Sequence, residues 1–156
     1  MVTPSVNIRE LVRKSRLESR LEDQLARYPY LISPELKRPI RQKWVSGQSR
    51  TDLMFETGQL TIIVEIKRGK ITAGAVDQLL RYRMDLKIGR DRFRGILIGR
   101  GISAAAEQRI ERSTISLRYL GIGKEIPEHL VFCWKCRKAR AHHMIKCPYD
   151  GSTRLL

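Results

Sequence analysis

The sequence predicts an α/β sandwich on a mixed central sheet, and three observations lead there. Residues 60–66 form a β-branched apolar run, too apolar for an exposed strand, and Leu53-Met54-Phe55 precedes it across a Gly58 turn, as in a hairpin. Helical spacing brackets this hairpin: Leu17, Leu21 and Leu25 recur at i, i+4, and Ala75, Val76, Leu79 and Leu80 mark one face of a helix over about 72–87. Downstream, a buried strand at 93–98, a helix at 104–112 capped by Ser103 and a strand at 115–120 alternate, as layers packed on one sheet do.

Taken in order, residues 1–6 read as loose. Asn7-Ile8-Arg9-Glu10 has the form of a capping box and opens a helix to about Arg27, which Tyr28-Pro29-Tyr30 ends because proline disfavours helix in the residue before it. Residues 35–45 read as a charged, irregular strand that Pro39 confines to an edge, and residues 46–49 as a turn. With Thr57-Gly58 as a two-residue loop, Phe55 faces Leu60, Asp52 faces Ile63 and Arg50 faces Glu65. Glu65 then lies diagonal to Asp52 on one face, with Lys67 on the same side.

At 156 residues the chain is one ordinary domain with a small appendage. The 31 Lys and Arg against 16 Asp and Glu give a formal charge of +15, which points to a polyanionic partner. No apolar run suits a membrane span and no signal peptide is visible, so the expectation is a cytoplasmic protein away from membranes. There is no Gly-rich phosphate loop and no serine elbow, and all three histidines lie in the tail region, which excludes the common nucleotide-binding and serine-hydrolase classes.

Two carboxylates side by side repel unless a cation lies between them. Mg²⁺ suits that position, since it takes one or two carboxylates plus water and phosphate. A lysine beside the ion orients water or offsets charge on a phosphate. Asp52, twelve residues, then Glu65-Ile66-Lys67 resembles the core of the PD-(D/E)XK nucleases, and Gln78-Leu79-Leu80-Arg81-Tyr82 resembles the Q-x-x-x-Y motif of their RecB-like branch. Within that branch the chain is most similar to the nuclease domain of the NucS/EndoMS endonucleases, which act on branched or mismatched DNA. The likeness includes Leu21 to Leu25 with Pro29 to Ile32, Val64 to Gly69, Ala75 to Tyr82, Arg94 to Ile98, and the last helix and strand to about Ile122.

The resemblance implies a restriction-endonuclease-like fold over residues 1–122 and DNA as partner. It implies Mg²⁺ or Mn²⁺ on Asp52 and Glu65, with Lys67 as a catalytic residue. Glu22 would border the metal site, and Gln78 and Tyr82, which share a helix face, would line it. On the bland alternative, Glu18 and Glu22 sit on a solvated face and Gln78 is a surface residue. Thr51 stands where the superfamily's name has proline. The family's amino-terminal DNA-binding domain has no counterpart here, so a homodimer or a partner protein is expected to supply that surface.

Residues 123–130 read as a linker to a module over 131–156. Cys133-Trp134-Lys135-Cys136 and Cys147-Pro148-Tyr149-Asp150-Gly151 resemble the two knuckles of a zinc ribbon. Asp150 stands where a fourth cysteine would be. Zn²⁺ is expected on Cys133, Cys136, Cys147 and Asp150, with His142 or His143 as the rival fourth ligand. A tail this short has little core of its own and needs such a staple. Arg50, Arg68, Lys70, Arg137, Lys138 and Arg140 are the candidate DNA contacts. The reading is a metal-dependent DNA endonuclease of repair or recombination. The alternative is a non-catalytic nucleic-acid-binding adaptor or subunit on a nuclease fold.

Overall fold

The computed structural model describes residues 20–46 and 49–156. The expected cap at residues 7–10, Leu17, Glu18 and the middle of the turn at 47–48 lie outside them. Residues 20–27 are helical (α1) and stop before Pro29. In chain order there follow β1 (Ile40–Arg41), β2 (Trp44–Ser46), β3 (Ser49–Arg50), β4 (Leu53–Thr57), β5 (Leu60–Ile66), β6 (Lys70–Ile71), α2 (Ala73–Asp85), β7 (Phe93–Gly99), β8 (Gly101–Ile102), α3 (Ala104–Arg112), β9 (Ser116–Gly121), β10 (Leu130–Phe132) and β11 (Ala139–Ala141).

Five strands form the central sheet in the order β1-β4-β5-β7-β9. The first three are antiparallel neighbours; β5, β7 and β9 are parallel. Chain direction and sheet order advance together from β5 to β9, so two right-handed crossovers put α2 and α3 on one face. Thr72 and Ser103 cap these helices by accepting N–H bonds from Ala75 and Ala106. Period-2 alternation divides the core. Ile62, Val64 and Ile66 pack with Leu25 of α1 and with Ile126. Ile63 faces the other way, into Val76, Leu79 and Tyr82 of α2. Strands covered on both faces read as continuous apolar runs, which is why residues 60–66 are so apolar.

The hairpin register differs from the one expected. Its loop is Gly58-Gln59, with Gly58 at φ 59°, and Thr57 pairs with Leu60. Leu53 pairs with Val64, so the same register carried one residue further sets Asp52 beside Glu65 rather than Ile63. Arg50 does not face Glu65; it pairs with Trp44 in a separate two-stranded ribbon of β2 and β3. A shift of two residues keeps every side chain on its expected face, so the carboxylates still converge. Of the strand expected over 35–45, only β1 and β2 are regular, and β1 does form the edge of the central sheet.

Gly95 lies in β7 between Leu117 of β9 and Leu79 of α2. A Cβ there would come 2.6 Å from Leu117 Cδ2, 3.1 Å from Leu79 Cδ1 and 3.2 Å from Phe93 Cε1. Gly95→Ala should therefore destabilise the fold by about 1–3 kcal/mol through overpacking, read as a lower denaturation midpoint at unchanged slope.

The segment read as a linker packs closely on the domain. Ile126 is fully buried, and the N–H of Gly123 donates to its carbonyl at 2.7 Å. The β10–β11 hairpin rests on the turn after α1: Tyr28 meets Phe132 edge-on, and the N–H of Ala139 donates to Tyr30 Oη at 2.7 Å. Among the described residues no helix is long and apolar enough to cross a membrane.

Candidate active site and metal centre

Strand alternation aims Met54 and Ile63 at α2, and the residues two further along, Asp52 and Glu65, share that face at the end of the sheet. Glu65 is buried, at 2% exposure. Its Oε1 lies 2.8 Å from Lys67 Nζ, whose side chain remains 36% exposed. Asp52 Oδ2 accepts the N–H of Ile66 at 2.8 Å, which locks the Asp52 carboxylate onto the neighbouring strand. Lys67 is fixed in turn by its own N–H, which donates to the Ile98 carbonyl at 2.8 Å. The sheet thus holds two carboxylates at one end, oxygen ligands of the kind that Mg²⁺ or Mn²⁺ takes, with an ammonium beside them.

Gln78 and Tyr82 reach this edge from α2. Gln78 Nε2 donates to Tyr82 Oη. Tyr82 donates onward to the carbonyl of Arg50 at 2.9 Å. Burial raises the Tyr82 phenol above its usual value, and the Glu65 carboxylate and then that of Asp52 push it the same way; Gln78 and Lys67 oppose them. Tyr82 is therefore a neutral donor at pH 7, a post between α2 and the strand entering the site. Tyr82→Phe should cost about 1 kcal/mol of stability, since it strips both bonds from a buried position; urea denaturation checks it.

Glu22 is placed differently. It is buried on α1, on the opposite layer, where Oε1 lies 3.3 Å from both Arg41 Nη2 and Gln42 Nε2. Gln42 also donates its N–H to the Asp52 carbonyl at 3.0 Å. Glu22 is thus tied to the strand before Asp52, but the structure does not gather it with Asp52 and Glu65 into a three-carboxylate cluster. A cleft of about 660 Å³ opens beside the site, lined by Lys67, Arg68, Lys70, Gln78 and Arg100 and by no acidic residue. A second cavity of about 410 Å³ shares Arg68 and Arg100, and Glu128 ion-pairs with Arg100 there.

The tail brings its own cluster together. Ligand atoms of Cys133, Cys136, Cys147 and Asp150 all lie within 4.8 Å of one another, and among the described residues no other group of three or more His, Cys, Asp or Glu does so. Cys136 Sγ is 3.6 Å from Cys147 Sγ, and Cys133 Sγ is 3.3 Å from Asp150 Oδ2. A tetrahedral zinc with Zn–S of about 2.3 Å and Zn–O of about 2.0 Å sets these edges at about 3.8 and about 3.5 Å. The donor set and its spacing fit the ion. His142 and His143 stay outside the cluster, and His142 meets both His129 and His143 edge to face.

The two knuckles are built alike. Each opening cysteine, Cys133 and Cys147, accepts at its carbonyl an N–H from four residues on, at 2.9 Å. That fourth residue has a left-handed backbone, Arg137 at φ 60° and Gly151 at φ 74°. Burial raises the Cys136 thiol to about 11, and the Asp150 carboxylate and the other two thiols add to the rise against the Lys138 N–H. Burial also lifts Cys133, but N–H groups of Cys136 and Lys135 draw it below its usual value. The Ser152 N–H, 2.8 Å from Asp150 Oδ1, holds that carboxyl at about 2. A cation reverses the mutual repulsion of such a group.

The basic residues separate into two kinds. Arg50, Lys70, Arg137 and Lys138 are exposed and Arg68 is half-buried in the cleft wall. Arg140 was expected on the DNA-facing surface and is instead buried at 2% exposure, where it donates to the carbonyls of Ser152 at 3.1 Å and Ile145 at 3.5 Å. Through these two carbonyls it braces the second knuckle.

The endonuclease NucS C-terminal domain family matches residues 17–133, well over half of the chain. The chain belongs to this family. An endonuclease NucS of Sulfolobus acidocaldarius is 30% identical over 95 residues, which cover 60% of the chain and 37% of that protein. A repair endonuclease from Pyrococcus abyssi superposes with TM-score 0.57 at 26% identity, covering 67% of this chain and 46% of that one. A structure of an EndoMS–dsDNA complex superposes with TM-score 0.58 at 25% identity, covering 72% and 46%. The chain thus spans less than half the length of the relatives it matches. The NucS match closes at Cys133, so the other three members of the sulfur cluster lie beyond it.

Sequence reasoning missed Gln42, Arg100 and Trp44 as neighbours of the site. Gln42 and Arg100 belong to no motif; Trp44 carries one signal, an aromatic ring directly after the basic residues Lys37, Arg38, Arg41 and Lys43.

Proposed function

We propose that this NucS C-terminal domain is a divalent-metal-dependent endodeoxyribonuclease of the PD-(D/E)XK type that hydrolyses phosphodiester bonds in branched or mismatched DNA during repair or recombination. The observation that carries the reading is the convergence of Asp52, Glu65 and Lys67 at one sheet end, beside a cleft with only basic charge on its walls. The relatives are named endonucleases, and one was solved with double-stranded DNA. Asp52 and Glu65 would hold Mg²⁺ or Mn²⁺, which when bound supplies an activated water and offsets charge on the scissile phosphate. Lys67, already seated on Glu65, orients the water or the phosphate oxygen. Gln78 and Tyr82 hold α2 against the entering strand, and Glu22 braces it through Gln42. Arg50, Arg68, Lys70, Arg137 and Lys138 meet the DNA backbone. Zn²⁺ on Cys133, Cys136, Cys147 and Asp150 staples the tail. The enzyme works in the cytoplasm, as a homodimer or with a partner protein that adds DNA-binding surface.

The test is cleavage of labelled branched, mismatched, single-stranded and plain duplex DNA with Mg²⁺, Mn²⁺ or EDTA. Metal-dependent cutting that prefers the branched or mismatched substrates is the expected result. Binding without cutting on every substrate would convert the reading to a DNA adaptor.

A further inference from the structure

The chain has two tryptophans, and both stand in solvent, Trp44 at 61% exposure and Trp134 at 44%. Tryptophan is highly buried on average, so a ring this exposed calls for a reason. Trp44 has a structural one. It lies on β2 next to Val45, which packs into the core on the α2 side. Alternation then turns Trp44 outward. Across the ribbon stands Arg50, its guanidinium 5.6 Å from the Trp44 ring centroid. The Arg50 carbonyl accepts the Tyr82 hydroxyl, and Asp52 follows two residues later. The ribbon therefore holds a large flat ring across from Arg50, the residue whose carbonyl ties Tyr82 to the strand that enters the candidate active site.

The surroundings select the occupant. Arg50 is exposed and Lys43 half-buried, while Arg41, also exposed, is paired with Glu22 and Asp23. Such a cationic border disfavours an apolar protein surface and suits a polyanion with flat apolar faces. Aromatic rings flanked by cations bind single strands in this way, bases on the rings and phosphates on the cations. We propose that Trp44 is the stacking platform for an unpaired nucleobase of the strand held at the Asp52–Glu65 edge, with Arg50 meeting the adjoining phosphate. This rests on the DNA-binding part of the reading above but not on cleavage.

The experiment uses the full chain with Trp134→Phe, which leaves Trp44 as the sole tryptophan, in metal-free buffer. A thymidine oligonucleotide, followed separately by fluorescence anisotropy of a labelled copy, should quench Trp44 emission as it binds. Heparin, a polyanion without bases, should bind and leave the emission unchanged. Trp44→Leu should weaken oligonucleotide binding by roughly tenfold, while Trp44→Phe keeps most of the affinity. Both substitutions sit on an exposed ribbon face, and equal melting curves verify the fold. Oligonucleotide binding with unchanged Trp44 emission, or native affinity in Trp44→Leu, overturns the platform and leaves the nuclease reading intact. Quenching in a protein that cuts no DNA upholds the platform and removes only the enzyme. Absence of any oligonucleotide binding overturns both.

Discussion

Glu65→Gln should cut metal-dependent DNA cleavage by roughly a thousandfold or more, while leaving the metal-free protein at least as stable as the native chain. The two effects share one cause. Glu65 is buried, and the hairpin register sets it beside Asp52 on the adjacent strand. Without a metal ion two carboxylates on adjacent strands repel, and glutamine removes one of the charges while keeping shape and an oxygen for Lys67. With Mg²⁺ the order reverses: the native chain gains stability on binding the ion, and Glu65→Gln gains less because it offers one carboxylate. Urea denaturation with and without Mg²⁺, run beside the cleavage assay, reads both quantities. A variant that keeps native cleavage, or that gains as much stability from Mg²⁺ as the native chain, would remove Glu65 from the metal site. Asp52→Asn should lose cleavage equally and also some stability, because the Asp52 carboxylate accepts the Ile66 N–H as a charged partner at 2.8 Å.

How much of this was legible in the sequence follows from which interactions are local. The α/β sandwich came through because residues 60–66 can only be a strand covered on both faces, and Thr72 and Ser103 cap their helices with their own side chains. The convergence of Asp52, Glu65 and Lys67 survived a wrong register because period 2 forgives a shift of two. The register itself was not legible: Thr57-Gly58 and Gly58-Gln59 are equally plausible loops by composition, and the positive φ at Gly58 fits both. Arg140 was misplaced because a basic residue in a basic tail looks solvated, and only the knuckle carbonyls that surround it make burial affordable. Glu22 was placed by analogy; its partners are Arg41, on an edge strand of two residues, and Gln42 in the bend that follows it, and no periodicity announces either.

Cys147→Ser should abolish zinc binding, from about one ion per chain to none by elemental analysis, and should loosen residues 131–156 while the central sheet stays folded. The reason is the poverty of the tail's own core. Its secondary structure is one short hairpin, β10 with β11, and much of its buried material is the cluster itself, with Cys133 and Cys147 inside and Cys136 half-buried. Without a cation, three sulfurs and a carboxylate crowd within 4.8 Å of one another, 3.3 and 3.6 Å at two of the contacts, an arrangement that burial and, once thiolates form, like charge oppose. Zinc converts that repulsion into the bonds that close both knuckles. The central sheet has two apolar clusters of its own and does not depend on the ion. Asp150 offers the finer test. Asp150→Cys completes a four-sulfur site and should hold zinc against a chelator longer than the native chain, whereas Asp150→Asn should release it sooner. Cobalt substitution gives each variant a visible tetrahedral spectrum to follow. Stoichiometric zinc in Cys147→Ser, or a native chain without zinc whose tail resists protease, would show that packing alone, through Tyr28, Tyr30 and Phe132, holds the tail to the domain.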